Sequence, residues 1–246
     1  MAETLAALVL AHACADFLLQ TRGMVEAKAR RRAGALLLHT LVVAGTAAVA
    51  LGAGSEDALL PLGVAVGVVA GLHLVIDLVK SMARPGLAAF LADQAAHLAV
   101  LIAVAAAWPD LWGAGWWAGA AWLPAAMVLL AGAVLVIRPG GIAVGLLLEP
   151  WSDVGMEGLP GGGRIIGNLE RGLIFLLVLT GQPGGIGFLI AAKSVLRFGT
   201  VRDEARLSEY VIVGTLASFG WALLVSTGTL VLLSALPAVG IPFVDR

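Results

Sequence analysis

Five apolar runs, at about 3 to 20, 34 to 53, 58 to 80, 86 to 108 and 117 to 137, each approach the roughly 20 residues that a helix needs to cross the hydrocarbon of a bilayer. With no water there to bond backbone groups, a chain built from such runs is restricted to helices that satisfy their own amides. A hydrophobic content of 60% against 13% charged residues and a mean hydropathy of +1.00 exclude an ordinary soluble domain. The expected fold is therefore all-α, a polytopic transmembrane helix bundle forming a single membrane domain over residues 1–246.

The second half is less regular. A Gly-rich, charged interval at 139–164 reads as a cytoplasmic loop. A hydrophobic hairpin follows, Ile165 to Thr180 and Ile186 to Phe198, turned by Gly181-Gln182-Pro183-Gly184-Gly185, residue types that favour a tight reversal. A last segment runs from Glu209 to about Leu236, so that 165–246 forms C-terminal helices with basic cytoplasmic ends. The total is about eight hydrophobic segments and six to eight crossings, the hairpin arms being short enough to be re-entrant.

Lys and Arg in short loops set the orientation. Arg22, Lys28, Arg30, Arg31 and Arg32 follow the first run, Lys80 and Arg84 the third, Arg138, Arg164 and Arg171 the fifth, and Arg197, Arg202 and Arg206 the hairpin. The intervening loops hold only Glu56, Asp57 and Asp110. The alternation is complete with both termini outside and both hairpin arms crossing, in a multi-pass protein of a bacterial inner membrane. The first run lacks a basic leader and carries polar residues in its body, so it is expected to be a retained span. Trp108, Trp112, Trp116, Trp117 and Trp122 read as an aromatic belt at the outer end. Gly63, Gly67 and Gly71 form a stripe suited to close helix packing.

Polar residues interrupt the apolar runs in a pattern. All four histidines, His12, His39, His73 and His97, lie in separate runs of the first hundred residues, and three have an aspartate four positions away: Asp16, Asp77 and Asp93. That spacing stacks both side chains on one helix face. Counting at 1.5 Å per residue from the basic loops puts every one of them within roughly 5 to 20 Å of the cytoplasmic boundary. Four helices thus bring their polar residues to one depth, and 1–108 reads as a four-helix half bearing a shared site.

Ionisable groups at that depth must face the bundle interior and find partners. Imidazole and carboxylate donors suit a divalent metal ion, zinc first, with manganese or iron as alternatives; a proton or ion pathway and a structural network of hydrogen bonds between helices are the competing uses. Cys14, the only cysteine, excludes a multi-thiolate site and an internal disulfide. The expected ligands are His12, Asp16, His73, Asp77, Asp93 and His97, with His39 and Asp93 as catalytic groups and Gln20, Lys80 and Gln94 nearby to orient ligands or meet substrate. Glu170, Arg171, Lys193 and Arg197, near cytoplasmic ends of later segments, form a candidate anion pocket, with Glu170 as the partner of Lys193.

The function expected is a metal-dependent membrane hydrolase acting on a lipid-linked or phosphorylated, anionic substrate from the cytoplasmic leaflet. A proton- or cation-conducting transporter using the same cluster, and a non-enzymatic scaffold, are the alternatives. No nucleic-acid partner is expected, and the oligomeric state is left open. The sharper hydrolase and nucleotide-binding motifs, H-E-x-x-H, G-x-S-x-G and the Walker lysine, do not occur.

The order His12-x-x-x-Asp16-Phe17-Leu18-Leu19-Gln20, a basic loop with Lys28, His39, His73-x-x-x-Asp77-x-x-Lys80, and Asp93-Gln94-x-x-His97 resembles the bacterial membrane family known as Domain of Unknown Function 3307. Gly167-x-x-Glu170-Arg171, Ala191-Ala192-Lys193-x-x-x-Arg197-Phe198 and Glu209-Tyr210 leading to Gly214-Thr215-Leu216 are similar to its longer members. The resemblance implies an architecture and a polar residue set, and assigns no activity.

Overall fold

The computed structural model describes residues 1–52, 56–152, 160–198 and 205–238, and is all-α over them. The helices are α1 (Ala2–Phe17), α2 (Arg22–Ala29), α3 (Ala33–Leu51), α4 (Glu56–Lys80), α5 (Leu87–Ala107), α6 (Leu123–Leu148), α7 (Gly162–Leu179), α8 (Gly185–Phe198) and α9 (Ala205–Ser234). Five of them, α3, α4, α5, α6 and α9, are long and apolar enough to cross a membrane, and α1 with α2 makes a sixth candidate if that bent pair is one span. The count of five or six meets the expected six to eight only at its lower end. The shortfall lies in the hairpin: α8, at 14 residues, reaches about 21 Å, and α7 carries Arg164, Glu170 and Arg171 among its 18 residues. The hairpin itself forms as expected, with Lys193 of α8 opposite Glu170 of α7 at 2.8 Å.

α1 is the axis of the front half. Its alanines, Ala6, Ala7, Ala11, Ala13 and Ala15, are buried, and these small side chains let α3, α5 and α6 pack around it. The first apolar run ends sooner than its hydropathy suggests. α1 stops at Phe17, and α2 leaves it at 87°, started by the Thr21 side chain accepting from the Met24 amide at 3.3 Å. The basic stretch after the first run is thus partly a short helix lying across the bundle end.

α6 joins the front helices to a second packed unit with α7 and α9, whose core includes Val136, Ile174, Phe175, Phe219 and Ala222. Here the expected loop from 139 is corrected, because α6 runs on through Pro139, Gly140 and Gly141 to Leu148. Proline removes the N–H that would bond the carbonyl four residues back, which is that of Leu135. The Trp221 indole of α9 donates to that oxygen at 3.0 Å, so the helix continues with its backbone satisfied.

Two further expectations change. Trp112 is buried beneath the turn after α5, at 2% exposure, and its amide donates to the Thr4 hydroxyl, so it plugs the bundle end, while Trp116 and Trp122 stay exposed. The Gly63, Gly67 and Gly71 stripe faces outward: a Cβ at any of them meets no described atom within 4 Å.

Candidate metal centre

Each front helix presents one interior stripe at four-residue spacing, and the four stripes meet. They are Thr4, Leu8, His12 and Asp16 on α1; His39, Val43, Ala47 and Leu51 on α3; Ala65, Val69, His73 and Asp77 on α4; and Asp93, His97, Leu101 and Ala105 on α5. His39, His73, Asp77, Asp93 and His97 are buried, while the side chains of His12 and Asp16 are 10% and 9% exposed. The repeat of four residues keeps one helix face turned inward over three turns, so every stripe delivers its polar residues to the same level. The structure brings the polar residues of four helices together in one cluster.

At the centre of the cluster lies a tight triangle. The Asp16 Oδ1 atom is 3.2 Å from His39 Nε2 and 3.4 Å from His73 Nε2, and the two nitrogens are 2.9 Å apart. Asp77 Oδ2 adds a fourth donor, 3.8 Å from His39 Nε2 and 3.6 Å from His73 Nε2. On the α5 side, His97 packs against His73 with ring centroids 4.1 Å apart and against His12 at 5.0 Å. Asp93 Oδ1 stands 3.7 Å from His97 Nδ1.

Two lysines neutralise two of the three carboxylates. Lys28 Nζ donates to Asp77 Oδ2 at 2.5 Å, and Lys80 Nζ to Asp93 Oδ2 at 2.5 Å. Gln94 donates to Asp93 Oδ2 at 3.0 Å and its Oε1 lies 3.3 Å from His12 Nε2, while the Gln20 amide lies 3.1 Å from His39 Nε2. Gln20, Lys80 and Gln94 thus touch the cluster as expected. Lys28 was not among the expected site residues; counted as a loop charge that sets orientation, it gave no sequence signal that α2 folds back to α4.

Several donors remain uncommitted. Asp16 Oδ1, Asp93 Oδ1 and both ring nitrogens of His97 are buried and make no hydrogen bond among the described residues, which is costly unless another group satisfies them. Three sets of donors lie with all their ligand atoms within 4.8 Å of one another: His12, Asp16 and His97; Asp16, His39 and His73; His73, Asp77 and His97. A small cavity of about 10 Å³ adjoins them, bordered by His12, His73 and His97 and walled by Leu8, Val43, Val69 and Leu101. That is room for about one water or ion.

The second-half residues form a separate constellation. Arg171 is buried between α6, α7 and α9, donating to Ser218 Oγ at 3.0 Å, Asn168 Oδ1 at 2.8 Å and the Ile137 carbonyl at 3.2 Å. Glu170 pairs with Lys193, whose ammonium also stands 5.7 Å over the Phe219 ring. These partners all belong to α6, α7, α8 and α9, and no contact joins them to the histidine cluster among the described residues. The Arg197 side chain lies outside the described residues.

Neither curated proteins nor solved structures give a match to the chain. Residues 4–113 match the model of the family described as protein of unknown function DUF3307, the family whose motifs the sequence resembles, and that stretch contains every member of the His/Asp cluster.

Proposed function

We propose that the His/Asp cluster holds a catalytic divalent metal ion, and that the protein is a membrane-embedded hydrolase of lipid-linked or phosphorylated substrates entering from the cytoplasmic leaflet of a bacterial inner membrane. The observation that carries this reading is the triangle of Asp16, His39 and His73, with edges of 2.9, 3.2 and 3.4 Å. Donors about 2.0 to 2.1 Å from a tetrahedral ion stand about 3.3 to 3.4 Å from one another, which the two Asp16 edges approach, while the 2.9 Å edge is a hydrogen-bond distance between the two rings. Two imidazoles and a carboxylate with positions left open are the donor set of catalytic zinc and of non-haem iron.

A bound ion would supply Lewis acidity and lower the pKa of a coordinated water. Gln94 Oε1 holds the His12 ring through Nε2 and leaves Nδ1 facing Asp16, as partners of metal-bound histidines commonly do. His39, inside the triangle, suits a ligand better than a general base. Asp77, 3.6 Å from His73 Nε2 and paired with Lys28, would add a second carboxylate to the ion's donor set. Lys28 and Lys80, 12% and 39% exposed, stand where the negative charge of a substrate would arrive.

The packing disfavours the transporter alternative. Beyond the histidines, the same stripes continue as Leu8, Val43, Val69 and Leu101, then Ala47, Ala65 and Ala105, then Leu51 with Trp112, all buried. A conducting path needs wetted polar groups through that depth. The deciding experiment is metal analysis of protein purified without chelators, paired with phosphate release from lipid phosphates in mixed micelles. Near-stoichiometric metal and hydrolysis, both lost in Asp16→Asn, are expected. A metal-free wild type would sink the reading, and metal-dependent cation uptake without hydrolysis would move it to the transporter.

A further inference from the structure

The two oxygens of Asp16 face different histidines. Oδ1 lies against His39 and His73 at 3.2 and 3.4 Å, whereas Oδ2 faces His12 Nδ1 at 4.0 Å. Asp16 is also the one residue shared by the donor set with His39 and His73 and the donor set with His12 and His97. We infer that Asp16 bridges two divalent cations, the first held with His39 and His73 and the second with His12 and His97. This rests on the metal-centre reading and deepens it.

One observation independent of the first triangle supports the second position. His97 is 3% exposed, and neither of its ring nitrogens makes a hydrogen bond among the described residues. A ring so placed loses its hydration and gains nothing in exchange unless a ligand is bound. A carboxylate donating one oxygen to each ion also suits the separation of about 3.5 to 4 Å at which paired metal ions act together.

Charge then names the substrate class. Asp16, Asp77 and Asp93 carry three negative charges against the two positive charges of Lys28 and Lys80, leaving the protein contribution at minus one with neutral imidazoles. Two divalent ions would raise the site to plus three, an excess too costly to bury without a counter-ion. An anion of at least two charges offsets most of it. The phosphoryl group of a monoester or diphosphate is the chemical class that does so while bridging both ions.

The test is Mn2+ binding to chelator-stripped, detergent-solubilised full chain with inorganic phosphate present, read by metal analysis and electron paramagnetic resonance. Two ions per chain with the spectrum of an exchange-coupled pair are expected. His12→Ala and His97→Ala should each retain one ion with the spectrum of isolated Mn2+, and His97→Gln serves where the alanine variant does not fold. Withdrawing phosphate should weaken the second ion by about tenfold or more; unchanged affinity overturns the phosphoryl assignment. One ion per wild-type chain, or two uncoupled ions, overturns the bridge and leaves a single-ion centre intact. No bound ion overturns both.

Discussion

Lys28 and Asp77 form a 2.5 Å ion pair between a helix lying across the bundle end and a helix of the bundle wall, 49 positions apart in sequence. The 87° bend between α1 and α2 brings the lysine back over the site. With side-chain exposures of 12% and 5%, the pair is largely out of water, where removing one partner leaves the other charge uncompensated. Lys28→Met should therefore destabilise the protein by about 3 kcal/mol, read as a lower melting temperature in detergent. Lys28→Met with Asp77→Leu should recover most of the loss, since an apolar pair of similar volume carries no desolvation cost. A double variant no better than the single would show that the two residues do not act as a pair.

The constellation in the second half makes the opposite kind of prediction. Arg171 satisfies Ser218, Asn168 and the Ile137 carbonyl within the unit of α6, α7 and α9. Arg171→Ala should destabilise by about 2 kcal/mol or more through the acceptors it orphans, while metal content per folded chain stays at the wild-type value. A selective loss of metal from folded Arg171→Ala would instead couple the two units functionally.

The His/Asp cluster was legible because each participating helix carries its polar residues at four-residue spacing, and the basic loops put those residues at one depth before any helix was packed. Asp16 with His12, Asp77 with His73 and Asp93 with His97 could be read from spacing alone. Which oxygen meets which ring could not, because the contact of Asp16 with His39 and His73 depends on how α1, α3 and α4 rotate against one another. The contact of Lys28 with Asp77 was hidden because hydropathy treats a basic stretch as a loop, and an abrupt bend has no periodic signature. Pro139-Gly140-Gly141 was misleading for a related reason: in a bundle, a neighbour's indole can replace the missing backbone donor, and that neighbour lies 82 residues further on at Trp221.

Glycines in this chain divide by what they touch. At Gly140 a Cβ would stand 2.7 Å from Trp221 Cδ1 and 2.9 Å from Arg171 Cδ, contacts closer than carbon atoms tolerate in a packed interior. Gly140→Ala should cost about 1 to 3 kcal/mol. Gly67→Ala, with open space around its Cβ, should be neutral or slightly stabilising, as alanine favours the helix by about 1 kcal/mol. Thermal melts of both variants separate the cases; equal losses would mean that the outward glycine face is covered by a second chain or another partner in solution.

Trp221 and Pro139 should be energetically coupled through an atom that belongs to neither. The Leu135 carbonyl receives the indole N–H at 3.0 Å because Pro139 provides no backbone donor. Trp221→Phe alone leaves that carbonyl unpaired in an apolar surround, at a cost of about 1 to 3 kcal/mol. In the Pro139→Ala background the new amide at position 139 can bond to Leu135 itself, so the same Trp221→Phe change should cost less. The difference, about 0.5 to 1.5 kcal/mol in a double-mutant cycle, measures the indole's service to the backbone apart from its packing. Strict additivity would show that the tryptophan stabilises α6 by burial alone and that the helix tolerates its proline by some other means.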